Sequence, residues 1–335
     1  MNWKSALKGN PLPWLLEEEN PSVRYFTLVD IDGLNPLDKQ ALSCKKEIMT
    51  RGVVPKILSR QRQRGHWEKR EDFYERTKYR GTVWQLIILA ELGAAGDDER
   101  IKKACEFVLR ISQDRRSGGF SYRGSEVSGG YHSCVLPCLT GNMVWSLIRM
   151  GYIDDPRTQQ GIDWITTHQR FDDGVSRPPT TWPYETREPC WGRHSCHMGV
   201  VKALKALAEI PEEKRSREVN ETIGRAAEYF LRHHIFKRSH DLSRTVKPKW
   251  VRFGFPTIWD SDALEVLGLL VRLGYKDPRL QEAVDLVLTK QDEQGRWRLE
   301  NTYNGRVQVN IEQKGRPSKW VTMNAVKALR GFFSK

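Results

Sequence analysis

A Gln, three residues, a Gly, one residue and a Trp occur at Gln61, Gly65 and Trp67 (QRQRGHW) and again at Gln291, Gly295 and Trp297 (QDEQGRW). Looser copies run over residues 113–120 (QDRRSGGF) and 169–175 (QRFDDGV). The Gln positions 61, 113, 169 and 291 lie 52, 56 and 122 residues apart, so the last gap is two periods with one marker lost near His233 and His234. A fixed period of this size means an array of supersecondary units, none of which can bury its apolar face without its neighbours.

Two helices of different character precede each marker. Residues 82–93 (TVWQLIILAELG) are apolar nearly all round, as a buried inner helix is, whereas residues 99–111 (ERIKKACEFVLRI) are amphipathic at helical spacing. Residues 139–150 with 156–168, 195–209 with 216–234, and 261–274 with 278–290 repeat the arrangement, and 321–333 has inner character with no outer partner after it. Residues 22–31 and 38–60 supply a further pair, and 11–19 can supply the missing outer helix. Strand signals are nearly absent. The expectation is an all-α, single-domain α/α toroid over residues 1–335, of about six helix pairs, with 1–60 closing the ring and 61–335 carrying the repeats. An open superhelix of the same pairs is the alternative. The markers read as braces: Gly for a sharp turn, Trp over the junction, and a Gln amide for backbone groups left free at helix ends.

These motifs resemble the QW motif of the terpenoid cyclases, and the alternating pairs resemble the squalene-cyclase and protein-prenyltransferase toroids, from about residue 50 onward. CLTGN, HSCH and PSKWVTMNAVKAL resemble uncharacterised prokaryotic prenyltransferase-like proteins. The resemblance implies a fold more firmly than a reaction. The prenyltransferases' ordered zinc set of Asp, Cys and His has no counterpart that can be placed on this sequence.

Partners and compartment follow from composition. A formal charge of +13 favours an anionic partner, and the basic residues are scattered rather than gathered into a nucleic-acid-binding stripe. The opening stretch has no secretory pattern, which points to a cytoplasmic protein with six reduced Cys, and no run is long enough to span a membrane. Oligomeric state is not legible.

Unusual residues gather before or at the starts of inner helices. In a ring, those starts converge on one rim, where helix N-termini and cations make an anion site. The substrate-binding candidates are Tyr74, Lys78, Tyr79, Arg80, Asn142, Trp191, His194, Trp259, Arg316, Lys319 and Trp320. Ordinary capping residues and solvated charges are the plainer reading of each. Cys134, Cys138, Cys190, Cys196 and His197, with His132 and His194 nearby, are candidate zinc ligands, set against buried thiols packing as small hydrophobes. Adjacent Cys196 and His197 point in different directions on a helix, which counts against a shared ion.

Residues 259–263 (WDSDA) resemble the DxDD acid motif of class II terpenoid cyclases, with Ala263 in place of the last Asp. The resemblance implies Asp260 and Asp262 as catalytic acids, and helix capping is the alternative. Two irregular stretches, the basic residues 235–255 and the Pro-rich, aromatic residues 177–189, are expected to wall a cavity or to be plain insertions. The functional expectation is a terpenoid cyclase- or prenyltransferase-like enzyme for an isoprenoid or other apolar molecule with an anionic head. Trp84, Trp145, Trp191 and Trp259 are placed to stabilise a cation in that reading. A glycan-processing enzyme for acidic sugars and a non-enzymatic binding module for an acidic partner are the alternatives.

Overall fold

Acidic and hydroxyl caps decide where the helices begin. Asp38, Asp98, Asp155 and Asp277 each accept the backbone N–H two residues on, at 2.8, 2.8, 2.8 and 2.9 Å. Asp262 and Ser318 accept the N–H three residues on, at 2.9 and 3.0 Å. These caps satisfy donors that a helix leaves free in its first turn. At Asp98, Asp155 and Asp277 the Arg two residues later folds back on the same carboxylate, at 2.7, 2.7 and 2.8 Å, so three outer elements start with one device.

The computed structural model describes residues 2–334 and is mostly α-helical. The helices run in chain order as α1 (Leu12–Leu15), α2 (Pro21–Phe26), α3 (Lys39–Thr50), α4 (Val53–Leu58) and α5 (Thr82–Glu91). Next come α6 (Glu99–Ile111), α7 (Pro137–Arg149), α8 (Pro156–His168), α9 (Glu188–Trp191) and α10 (His197–Glu209). Last are α11 (Arg217–Arg232), α12 (Ala263–Arg272), α13 (Gln281–Thr289) and α14 (Lys319–Phe333). Two small antiparallel ribbons, β1 (Gly124–Ser125) with β2 (Gly129–Gly130) and β3 (Lys237–Arg238) with β4 (Asp241–Thr245), are the strand pairs among the described residues. No described helix is long and apolar enough to cross a membrane.

The expected helix over 38–60 is two helices. α3 ends at Thr50, and α4 begins after Gly52, a residue that disfavours helix interiors, with Pro55 lacking an N–H in its first turns. The stretch 11–19 holds only the four-residue α1, because Leu16 onward leaves the helical path before Asn20 caps α2.

Contacts divide the chain into two compact units. The first holds the residues up to Ser59, Glu91–Ala94 and those from Phe230 onward; the second holds Arg60–Ala90 and Ala95–Tyr229.

In the second unit, α7 packs along α10, and the two backbones touch where Gly141 meets Lys202. A Cβ at Gly141 would stand 2.4 Å from the Lys202 carbonyl carbon, which accounts for the glycine in CLTGN. The brace at Gln61 donates to the carbonyl of Arg100 at 2.8 Å, and that at Gln113 to the carbonyl of Arg157 at 2.6 Å. Each ties a marker to the first turn of a later helix, α6 or α8. The N–H of Trp67 donates to Thr82 Oγ1 at 3.2 Å and that of Phe120 to Thr140 Oγ1 at 2.9 Å. These two markers therefore also hold α5 and α7.

The first unit repeats the device. Gln291 donates to the carbonyl of Ala6 at 3.0 Å and accepts from the N–H of Lys8 at 2.8 Å, and the N–H of Trp297 donates to Thr322 Oγ1 at 2.9 Å. Gly295 has φ 70° and no room for a side chain, since a Cβ would lie 2.5 Å from the Gly9 oxygen. α12 packs along α14, whose residues Lys319 and Lys327 reach Glu17 and Asp30 near the start of the chain.

Candidate functional site

In the second unit, the segment before α5 is an aromatic group fixed by its own backbone. Trp84 Nε1 donates to the Tyr74 carbonyl at 2.9 Å, and Gln85 Nε2 donates to the Tyr79 carbonyl at 2.8 Å. The Tyr74 ring stacks on Trp84 with centroids 4.7 Å apart, and Tyr79 meets the same indole edge-on at 5.0 Å. Tyr122 lies 6.4 Å from Tyr74, and the Arg187 guanidinium stands 4.4 Å over the Tyr122 ring. The Tyr74 hydroxyl is buried and has no hydrogen-bond partner among the described residues. Burial pushes its pKa well above the ordinary phenol value, and the neighbouring thiols of Cys138 and Cys190 push it further, so the phenol keeps its proton.

The segment before α5, the start of α7, α9 and the cap of α10 thus come together at Tyr74, Cys138, Cys190 and Cys196. Burial, then Cys190 and Cys196, raise the Cys138 thiol, and burial and Cys196 hold Cys190 up at about 12. The expected metal site is not assembled: among the described residues no three His, Cys, Asp or Glu groups are placed to hold an ion. Cys134 instead bonds Tyr122, and the Nδ1 of His197 lies 2.9 Å from the Tyr229 hydroxyl. Burial favours the protonated form of the Cys138 and Cys190 thiols.

Among the remaining expected residues of this unit, Asn142 and Trp191 are buried, and Trp191 lies between Trp164 at 6.2 Å and Tyr184 at 5.3 Å. Lys78 is exposed. Arg80 is turned to Glu68 at 2.9 Å, and the exposed His194 lies 3.4 Å from Asp173.

The stretch 177–189 packs on two imidazoles. Trp182 stacks on His132 with centroids 3.9 Å apart, donates its Nε1 to the His132 carbonyl at 3.1 Å, and meets His168 edge-on at 5.3 Å. His132 Nδ1 stands 2.6 Å from Oδ2 of the buried Asp114, which Ser117 Oγ also reaches at 2.5 Å. This carboxylate selects the tautomer that leaves Nε2 as the basic nitrogen, an arrangement suited to moving a proton. Burial, and His132 beside it, lower the pKa of His168. Asp114 escaped sequence reasoning because it sits inside a marker, QDRRSGGF, that reads as a brace. Buried Lys202 and Lys205 on α10 were also missed, although two Lys three residues apart in an apolar helix are a visible signal. Lys205 Nζ lies 4.0 Å from the Trp145 ring centre.

In the first unit, the two expected acids are both engaged. Asp262 is buried, and its oxygens accept the N–H of Glu265 at 2.9 Å and that of Gly254 at 2.8 Å. Asp262 thereby caps the first turn of α12. Asp260 pairs with Lys249 at 3.1 Å, and its amide donates to the Tyr303 hydroxyl at 2.6 Å. Trp259 is half-buried and Arg316 is exposed. Lys319 pairs with Glu17 at 2.7 Å, and buried Trp320 stacks on Phe255 at 4.2 Å. Thr257 Oγ1 bridges two carboxylates that sequence reasoning did not name, lying 3.0 Å from Glu91 and 2.9 Å from Glu265. Glu91, an acid closing an otherwise uncharged inner helix, was the available signal.

No protein-family model matches the chain, and no curated protein matches it. Among solved structures, it is similar to the apo type II terpene cyclase MstE from Scytonema, with 14% identity and a TM-score of 0.32 over 86% of this chain and 98% of that one. A variant of MstE in complex with its substrate geranylgeranyl dihydroxybenzoate gives 15% identity and a TM-score of 0.33, over 85% and 96% of the two chains. A protein from Actinoplanes gives 14% and 0.31, over 87% and 100%. Superposition at this level carries no argument about activity.

Proposed function

We propose that the chain is a terpenoid cyclase- or prenyltransferase-like enzyme whose substrate, an isoprenoid with an anionic head, lies against the aromatic group at the start of α5. The observation that carries this reading is the Tyr74 hydroxyl, a protonated donor buried beside Trp84, Tyr79 and Tyr122 without a partner among the described residues. A buried donor left unmatched costs about 1–3 kcal/mol, a cost that a bound acceptor removes. Arg187 over Tyr122 supplies the charge for the head group, and the stacked rings supply the apolar and cation-tolerant wall for the chain. Asp262 is left out of the chemistry, since it is held as a cap.

The test is binding and turnover of geranylgeranyl diphosphate, with inorganic pyrophosphate as control, followed by calorimetry and mass spectrometry of extracted products. Saturable binding of the prenyl compound that weakens about tenfold in Tyr74→Phe and in Arg187→Ala supports the reading. Equal binding of pyrophosphate alone, or binding unaffected by either substitution, would sink it.

A further inference from the structure

We propose that Cys190 and Cys196 are a modification site, in which the two thiols close to an intrachain disulfide by exchange with a low-molecular-weight disulfide such as oxidised glutathione. The placement comes from the backbone. Trp191 and Ser195 pair as an antiparallel bridge, and Cys190, in α9, and Cys196, the cap of α10, are the next residues out on either side of it. The N–H of Cys196 donates to the carbonyl of Cys190 at 3.4 Å, whereas the N–H of Cys190 turns back to the Arg187 carbonyl at 2.9 Å, so one backbone bond joins the two residues. A single bond of this kind keeps the two Cα atoms within about 7 Å of each other, the limit beyond which a disulfide cannot form without backbone movement.

The turn between them is held from outside, so closure needs no large backbone movement. Ser195 donates its N–H to the Asp172 carbonyl at 2.8 Å and accepts the Asp172 N–H on Oγ at 2.8 Å. Gly174 donates to the Arg193 carbonyl at 2.8 Å, and the Tyr229 hydroxyl donates to the Ser195 carbonyl at 2.9 Å. Both Cys190 and Cys196 are half-buried and open to a small reagent, whereas the adjoining Cys138 is buried.

The exchange balances without any group in the protein other than the two thiols. The thiolate of one Cys attacks a sulfur of oxidised glutathione and expels one glutathione thiolate, giving a mixed disulfide. The second thiolate attacks the protein sulfur of that bond and expels the other glutathione. The protein loses two protons and two electrons, and one oxidised glutathione becomes two reduced ones. This inference does not rest on the isoprenoid reading.

The test uses the full chain, purified reduced, equilibrated in mixtures of reduced and oxidised glutathione, alkylated, and digested with trypsin. Cleavage after Arg193 separates the two cysteines into peptides 188–193 and 194–202, which stay joined only through the disulfide. The expected result is that joined pair, lost on reduction, with alkylation of both residues falling about tenfold across the series. The pair should persist in Cys138→Ser and vanish in Cys190→Ser. A bond from Cys190 to Cys138, a glutathione adduct that never resolves, or full alkylation at every ratio would overturn the proposal. The wild-type digest decides it even where a variant fails to fold.

Discussion

The backbone N–H of Trp297 donates to Oγ1 of Thr322 at 2.9 Å, beneath an indole that is wholly buried. Trp67 with Thr82 and Phe120 with Thr140 make the same contact, so a hydroxyl in a neighbouring helix holds the aromatic residue of these three markers. Thr322→Val should leave a buried donor unmatched and cost about 1–3 kcal/mol in urea unfolding. Thr322→Ser keeps the oxygen and should cost less than that.

Two glycines on helices should respond oppositely to alanine. Gly141→Ala drives a Cβ into the Lys202 backbone and should destabilise by about 1–3 kcal/mol or more. Gly224 in α11 has nothing within 4 Å of the added carbon, so Gly224→Ala should stabilise by about 0.5–1 kcal/mol. Thermal unfolding of the pair distinguishes a steric requirement from general glycine flexibility.

Asp262→Asn should act on folding before it acts on chemistry. Its amide can still accept from Glu265, but it turns an NH2 group toward the Gly254 N–H that Asp262 Oδ2 accepts from. The expected loss is about 1–3 kcal/mol of stability. An unchanged unfolding midpoint together with lost turnover would restore the acid role.

Tyr74→Phe should leave stability unchanged or raise it slightly, since the hydroxyl that it removes has no partner among the described residues. A stability loss above about 1 kcal/mol would show that the phenol is bonded within the fold.

Asp277 carries a pH signature. Its hydrogen bonds to Arg279 bring its pKa from 3.8 down to about 2. A depressed carboxyl contributes stability that is present above the unfolded value and lost as pH falls through the folded one. Wild type should therefore exceed Asp277→Asn by under about 1 kcal/mol at neutral pH. That difference should shrink between pH 3.8 and about 2. A difference constant down to the lower limit would show that the pair does not form.

Helix starts were legible because an Asp or Ser cap, often followed by Pro, is a local signal: α6 and α8 begin and end where periodicity and capping put them. The break at Gly52 was overlooked because apolar spacing continues through it. Proximity of Tyr74, Cys138, Cys190 and Cys196 was readable from their shared place at inner-helix starts, but side-chain direction was not, and it is direction that takes His197 to Tyr229. Asp114 and His132 stand 18 residues apart and meet only through the folded loop, which no spacing rule encodes.

Gln291 holds Ala6 and Lys8 across 285 and 283 residues of chain. During synthesis, the first segment leaves the ribosome long before the partner it binds exists, and that apolar surface, Trp14 and Leu15 included, must wait. Ribosome-bound chains stalled short of residue 291 should expose the segment before α2 to protease.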